Sequence, residues 1–346
     1  MEFIKPDINI DFISKRYIAY GVSAIAILIS ILTLIVQGGP RFGIDFSGGT
    51  VIQIRFAQSV PVDSIKTGLG AVGIESPTIQ TFGEAKGHEY MVRTDLSLKT
   101  DEQFSTRIQQ ALKESTGQDA EIRRVEMVGP QVGQDLREKA LFAIFYALLF
   151  IAIYISGRFE FKWIQCGIIA AALMGGVYFL SLMKLSMAIL ITLALILTLI
   201  LFWVFQLRYA MGAVVSLLHD VMITLGFFVI AGGEFSLPIV AALLAIIGYS
   251  LNDTIIVYDR IRENLKKHRK LPFEKVINRS VNETLSRTIL TVGTTLVSVL
   301  ALYIWGGGII HDFAFVMIVG ILVGTFSSIF VASPILLVFQ DFSKKK

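Results

Sequence analysis

The sequence has few of the residues that stabilise or charge a soluble protein. Its single cysteine, Cys166, excludes any intramolecular disulfide. Charged residues make up 17% of the 346 residues, whereas soluble domains have about 25%. These shortages argue against a disulfide-rich secreted domain and against an ordinary soluble globular protein.

Long apolar stretches are abundant instead, and hydrophobic residues make up 54% of the chain. Several windows reach about 18 or more residues with almost no charge, which is the length that crosses a bilayer. Eight such stretches lie near residues 17–36, 139–156, 163–181, 185–206, 209–231, 236–258, 288–306 and 313–339. The sequence therefore predicts a polytopic α-helical membrane protein.

Basic residues are concentrated in alternate loops, which orients the predicted spans. The segment 259–287 has nine Lys or Arg against four Asp or Glu, and the chain ends in Lys344, Lys345 and Lys346. The positive-inside rule places this side and both termini in the cytoplasm, and the polar region 38–137 outside it. The first span has no evident cleavage site, so we expect a retained anchor. The net charge of +4 follows from this bias and requires no nucleic acid.

The polar region 38–137 has alternating strand and helix patterns. "GGTVIQIRF", "PTIQTFG", "EYMVRTDL" and "AEIRRVEMVG" are typical of strands, whereas "VDSIKTGLGAVG" and "DEQFSTRIQQALKEST" are typical of helices. The order β-α-β-β-α-β predicts a ferredoxin-like α+β domain. It contains no nucleophile beside a base and no metal-ligand cluster, and we expect its lone His88 to be solvated. We therefore expect no chemical active site, no metal and no cofactor.

A glycine-containing stretch, "RFGIDFSGGT", stands at the entrance to this domain. Its spacing matches neither the dinucleotide-binding nor the P-loop pattern. Gly48 and Gly49 are expected to form a tight turn where the chain leaves the membrane, with Asp45 as a candidate cap for it.

Two carboxylates fall inside predicted spans. A charged side chain at mid-membrane costs at least about 2.5–3.5 kcal/mol, so it is usually functional and paired. Asp220 lies twelve residues after Arg208, which is about 18 Å along a helix and near the bilayer centre. Asp253 lies six residues before Asp259, about 9 Å inside the cytoplasmic boundary. Arg287, at the cytoplasmic mouth of the seventh span, is the natural partner.

Small and polar residues recur near these charges every three or four positions, which places them on single helix faces. They are Gly212, Ser216, Asp220 and Thr224; Gly248 and Asn252, beside Asp253; and Arg287, Thr291, Thr294 and Ser298. In a bundle we expect such faces to turn inward. Gly320 and Gly324 in the last span form a further small-residue face.

Each of these features has a structural alternative. Arg287 would snorkel to the surface, the two aspartates would be buried hydrogen-bonding groups, and the hydroxyl stripe would serve only in packing. Taken together, two acids, one arginine and a hydroxyl stripe favour a relay for protons or cations. An apolar environment favours the neutral carboxyl group and a nearby arginine favours the charged one, so a moving partner can load and release a proton.

Four stretches, "GIDFSGGT", "SLLHDVMITLG", "GYSLNDTIIVYDRIREN" and "SRTILTVGTT", resemble the SecF family, the smaller subunits of the bacterial SecDF complex. That family is similar in architecture to the RND superfamily. The resemblance implies six spans, one periplasmic domain, and SecD, the SecYEG translocon, YajC and preproteins as partners in the inner membrane. It also implies use of the proton motive force in protein export. The family's proton-passage residues fall on Asp253 and Arg287.

The expected span count differs from the family's because of two extra apolar stretches. "FEFKW" at 159–163 matches "FQLRY" at 205–209 at an offset of 46 residues, which indicates a partial internal duplication. At this offset Met174 replaces Asp220, so we interpret the insertion as peripheral and structural. The expected segments are 1–37, 38–137, 138–158, the insertion 159–208, and 209–346.

Two other functions remain open at this stage. The first is a subunit of an RND-type exporter of small molecules or lipids. The second is a passive assembly scaffold.

Overall fold

The computed structural model describes residues 8–75, 77–82, 87–94, 104–181 and 187–344. A helical bundle carries a smaller α+β domain that is inserted after its first long helix. Lys345 and Lys346 and most of the predicted turn "EAKGH" lie outside the described residues.

The first helix and the α+β domain occupy the N-terminal part of the chain. Their elements are α1 (Arg16–Val36), β1 (Arg41–Phe42), α2 (Ile44–Ser47), β2 (Gly49–Phe56), α3 (Val62–Ala71), β3 (Thr78–Phe82), β4 (Glu89–Thr94), α4 (Phe104–Thr116) and β5 (Ala120–Val128).

The rest of the chain forms the bundle. Its elements are α5 (Pro130–Glu160), α6 (Trp163–Ser181), α7 (Met187–Val204), α8 (Arg208–Ile230), β6 (Glu234–Phe235), α9 (Leu237–Lys267), α10 (Phe273–Trp305), α11 (Gly308–Ser327) and α12 (Ser333–Lys344), with a π-helical turn at Ser328–Ala332.

The α+β domain contains an antiparallel four-stranded sheet with the strand order β3-β4-β2-β5. Alternate residues of β2 and β4 are buried, because successive side chains of a strand point to opposite faces. The buried face packs against α3 and α4 through Ile52, Ile54, Ile65 and Ile108, among others. The strands and helices expected from the sequence are all present in the described segments.

Among the described residues, six helices are long and apolar enough to cross a membrane: α1, α5, α8, α9, α10 and the continuous stretch Gly308–Phe339. The protein is therefore a multi-pass membrane protein. The apolar helices α6 and α7, of 19 and 18 residues, occupy the predicted insertion. The described residues thus give six candidate spans, and the crossing of α6 and α7, which would bring the number to the eight expected, stays a prediction.

Helices α8, α9 and α11 pack closely at the centre of the bundle because small residues line their contacts. A Cβ atom at Gly320 would lie 2.2 Å from Ile246 Cδ1, and one at Gly324 would lie 2.9 Å from Ser250 Cβ. The predicted small-residue face of the last span is therefore a contact with α9. Helix α1 packs on α8, whereas α6 packs against α5, and α7 packs against both α5 and α8.

Candidate functional site

Asp220 lies at the centre of a buried polar network. Its side chain is 1% exposed, and three neighbours surround it. Ser250 Oγ donates a 2.6 Å hydrogen bond to Asp220 Oδ2, and Ser327 Oγ donates a second of 2.8 Å. His219 Nδ1 lies 2.9 Å from Oδ1. Helices α8, α9 and α11 thus meet at one carboxylate, and the predicted inward turn of the polar face of α8 is confirmed.

His219 extends this network to the first helix. Its Nε2 atom lies 3.0 Å from Ser23 Oγ on α1, and its ring stacks on Phe326. The sequence interpretation did not select His219, because adjacent residues of a helix do not share a face. One signal in the sequence could have identified His219: an imidazole within an apolar span is costly and is therefore a candidate functional group.

Three further hydroxyl groups are buried on the same helices. Ser216, Thr224 and Thr254 are at most 1% exposed. Neither Thr224 Oγ1 nor Thr254 Oγ1 has a hydrogen-bond partner among the described residues. Buried polar groups are usually paired. The hydroxyls of Thr224 on α8 and Thr254 on α9 therefore leave unused hydrogen-bonding capacity near Asp220.

Asp253 has a different environment, although it is also buried, at 4% exposure. Thr288 Oγ1 on α10 donates a 3.2 Å hydrogen bond to Asp253 Oδ1. The other carboxylate oxygen, Oδ2, has no hydrogen-bond partner in the described part of the chain. Asp253 is thus a buried acid with one oxygen free to accept a proton.

The expected ion pair between Asp253 and Arg287 does not form in the described chain. The two groups are near enough to interact electrostatically, but their atoms do not approach within 4.0 Å, and Arg287 is exposed. Asn252, next to Asp253, also faces outward. The structure therefore places the two charges at one edge of the bundle without joining them.

The polar stripe of α10 turns outward, which corrects the expectation that every polar face turns inward. Arg287, Thr294 and Ser298 are exposed and Thr291 is half-buried. Helix α10 instead buries its opposite face, including Thr288, Val292 and Val299. The three stripe hydroxyls donate to carbonyl oxygens of their own helix, at Arg287, Leu290 and Thr294. This bonding satisfies the hydroxyls, so no neighbouring helix of this chain is required to pair them.

The arrangement suits reversible binding of a proton more than covalent chemistry. The described residues contain no group of three or more His, Cys, Asp or Glu that could hold a metal ion. What they offer is two buried carboxylates on neighbouring helices. One is saturated with donors and the other is only partly paired.

Comparison with known proteins identifies the family. The model for the C-terminal part of the protein export membrane proteins SecD and SecF matches residues 107–185 and 180–341. The model for the SecD/SecF GG motif matches residues 33–60, which include the glycine-containing stretch.

Two curated relatives match over nearly their whole length. The protein translocase subunit SecF of Desulfurispirillum indicum is 42% identical over 94% of this chain and 90% of its own. The SecF subunit of Calditerrivibrio nitroreducens is 39% identical over 100% of this chain and 99% of its own.

A solved structure shows the same architecture. The crystal structure of SecDF, a translocon-associated membrane protein from Thermus thermophilus, superposes with a TM-score of 0.74 at 29% identity. The match covers 98% of this chain but only 40% of the SecDF chain. With the matches to curated subunits, this likeness shows that the chain belongs to the SecF family of protein translocase subunits.

Proposed function

We propose that this subunit acts with a SecD partner to couple the proton motive force to preprotein translocation across the inner membrane. Asp253 carries the proposal. It is a buried carboxylate whose Oδ2 atom has no hydrogen-bond partner among the described residues. Both Asn252, next to it on α9, and Arg287, on α10, are exposed. Protonation of such a group changes its charge and therefore the attraction of a nearby cation.

The outward polar stripe is the proposed contact surface for SecD. Lipid chains offer no hydrogen bonds, so the guanidinium of Arg287 would be costly to leave facing hydrocarbon. The related SecDF chain is longer than this one, which covers 40% of it, and that difference leaves room for the helices of a second subunit. A partner helix on α10 would enclose Asp253 and Arg287 between the two subunits.

The proposed orientation follows from the loop charges. The end of α9 and the start of α10 carry the basic segment 259–287 and lie on the side opposite the α+β domain. This side and both termini would face the cytoplasm. The α+β domain, whose strand order supports a ferredoxin-like arrangement, would lie in the periplasm and contact emerging preprotein. SecYEG and YajC are the further partners in this proposal, and neither an active site nor a cofactor is needed.

Asp253→Asn is the decisive substitution, because it keeps size and polarity but removes titration. Gradient-dependent translocation should be lost in membrane vesicles that contain the subunit and its partner, while assembly and gradient-independent translocation persist. Asp253→Glu should retain part of the stimulation. Arg287→Lys should be intermediate, because lysine lacks the planar fork of arginine.

Asp220→Asn ranks the two acids in the same assay. Full gradient stimulation in the Asp253→Asn variant would show that this acid is structural. Loss of stimulation in the Asp220→Asn variant alone would then move the relay to the buried network.

A further inference from the structure

The segment after α1 forms an interlocked contact with the loop between α8 and α9. We call residues 41–47 and 234–237 together the clasp. Strands β1 and β6 pair in parallel within it, and Gly43 N donates a 2.8 Å hydrogen bond to Phe235 O. The rings of Phe42, Phe46 and Phe235 pack together with centroid distances of 5.7–6.2 Å. Two segments far apart in the chain thus form one small unit.

Asp45 attaches this unit to the start of α9. Its Oδ2 atom accepts a 2.9 Å hydrogen bond from Leu237 N, in the first turn of the helix. The N-cap residue of α9, Ser236, makes no capping bond with its own side chain. A carboxylate at a helix N-terminus pairs a free amide and is favoured by the helix dipole. Asp45 therefore caps α9 from outside, and not the local turn for which the sequence suggested it.

Arg93 attaches the same unit to the sheet of the α+β domain. From β4 its guanidinium forms a 3.1 Å ion pair with Glu234. It also donates hydrogen bonds of 2.6 Å to Phe42 O and 2.9 Å to Ser47 Oγ. The side chain is only 18% exposed. Its planar group reaches both halves of the clasp at once, which the single ammonium group of lysine cannot do.

The glycine turn fixes the clasp against α5 as well. Gly48 and Gly49 have φ angles of +76° and +119°, which confirms the predicted tight turn. A Cβ atom at Gly48 would lie 2.8 Å from Pro130 Cα, and one at Gly133 would lie 2.9 Å from Gly48 N. The clasp is therefore held from three directions, by the sheet, by α5 and by α9.

Helix α9 connects this unit to both buried acids. It carries Ser250, which bonds to Asp220, and Asp253 itself. Asp253 lies sixteen residues after Leu237, about 24 Å along the helix. A helix is stiff over this length, so a shift at Asp253 reaches its capped end with little loss.

We propose that Arg93 and Asp45 are positioning residues that join the α+β domain to α9, so that the two move as one body when the proton-binding site changes state. The inference rests on the proposed function of Asp253. In this proposal the clasp is a permanent connection between the α+β domain and α9, and it stays closed during translocation.

The test compares gradient-dependent with gradient-independent translocation in vesicles that contain the full subunit and its partner. Arg93→Ala and Asp45→Ala should lose the gradient-dependent part and keep the other. Asp45→Asn should retain most of the stimulation, because its amide oxygen still accepts from Leu237 N. Arg124→Ala is the matched control, since Arg124 pairs with Glu126 on β5 of the same sheet and is 54% exposed.

A disulfide across the clasp supplies the second arm. Phe42→Cys with Phe235→Cys, in a Cys166→Ser background, joins two residues that are directly paired in register. The locked protein should keep full stimulation, because the connection is rigid. Loss of stimulation on locking, restored by reductant, would overturn the inference, as would full stimulation in Arg93→Ala and Asp45→Ala.

Asp253→Asn in the same vesicles distinguishes a failure of the clasp inference from a failure of the proposed function. If Asp253→Asn loses stimulation while the clasp variants keep it, only the clasp inference fails. If Asp253→Asn keeps stimulation, the proposed function fails and the clasp inference fails with it.

Discussion

At the scale of single residues, Asp220 and Asp253 show how two acids in one bundle differ through their neighbours. Asp220 is surrounded by His219, Ser250 and Ser327. Asp253 has one hydrogen-bond partner in the described part of the chain, Thr288. Donors to a carboxylate stabilise its charged form, and each is itself left unpaired if the carboxylate is removed. Asp220 therefore joins helices, whereas protonation of Asp253 would disturb fewer of the contacts seen among the described residues.

His219→Leu should destabilise the bundle more than Ser23→Ala. The first change leaves Asp220 Oδ1 and Ser23 Oγ unpaired, at about 1–3 kcal/mol for each buried group, and the second leaves only His219 Nε2 unpaired. The thermal midpoint of the purified complex in detergent measures the order. Thr33→Ala is the control, because the Thr33 hydroxyl bonds within α1. Equal losses for His219→Leu and Thr33→Ala would show that the network adds no stability.

At the scale of elements, the glycine face of α11 determines how closely this helix approaches α9. Gly324 is the critical position, because a Cβ atom there would lie 2.9 Å from Ser250 Cβ and 3.5 Å from Asp220 Oδ2. Any larger residue separates the helices whose hydroxyls pair with Asp220.

Gly324→Ala should therefore cost about 1–3 kcal/mol, as overpacking of a close contact does. Gly293→Ala on α10 is the matched change, since no described atom beyond the adjoining backbone of its own helix lies within 4 Å of the added Cβ. That substitution should be neutral or stabilise the helix by up to about 1 kcal/mol. Thermal midpoints of the two variants, measured side by side, decide between packing and helix propensity. A stable Gly324→Ala protein would contradict the close contact.

Local sequence patterns predicted the helices and strands well, because hydrophobic periodicity and turn-forming residues act over short distances along the chain. The alternation in β4 and the glycine turn at Gly48 and Gly49 were both evident from the sequence. Contacts between residues that are distant in the chain could not be predicted from the sequence. Asp45 caps a helix that begins 192 residues later, and His219 meets Ser23 across 196 residues. No local pattern specifies such pairs.

The sequence predicted which residues share a helix face, but it did not predict whether that face turns towards the bundle or away from it. The spacing of Arg287, Thr291 and Thr294 places them on one face. Whether that face turns inward depends on which other face packs better, and α10 buries the side with Val292 and Val299. A polar face can also await a second subunit, which a single sequence does not contain.

At the scale of the whole molecule, α6 and α7 lie against α5 and α8 as an addition to the six-helix bundle. The two helices that flank this addition meet directly, since Glu160 Oε1, at the end of α5, accepts a hydrogen bond from Tyr209 N, at the start of α8. In the internal match, Gln206 corresponds to Glu160 and lies at the same distance before an aromatic residue.

Deletion of residues 159–204 should therefore leave the six long helices in register and retain export function in a complementation assay. The duplicated "FQLRY" then takes the place of "FEFKW" at the junction. Membrane levels and co-purification with the partner are the controls. Complete loss of function at normal levels would contradict a peripheral role, and loss of partner binding alone would place α6 and α7 in the subunit interface.

The outward stripe of α10 has a consequence for the life of the newly made chain. Until Arg287 is covered, it leaves a guanidinium on the outer surface of a candidate membrane helix, which is the kind of group that lipid disfavours. We expect this uncovered face to mark an unassembled copy, so that membrane proteases and chaperones would distinguish it from an assembled one. We therefore expect surplus chains to be degraded faster than paired ones, so that the same side chains would also help to balance the two subunits.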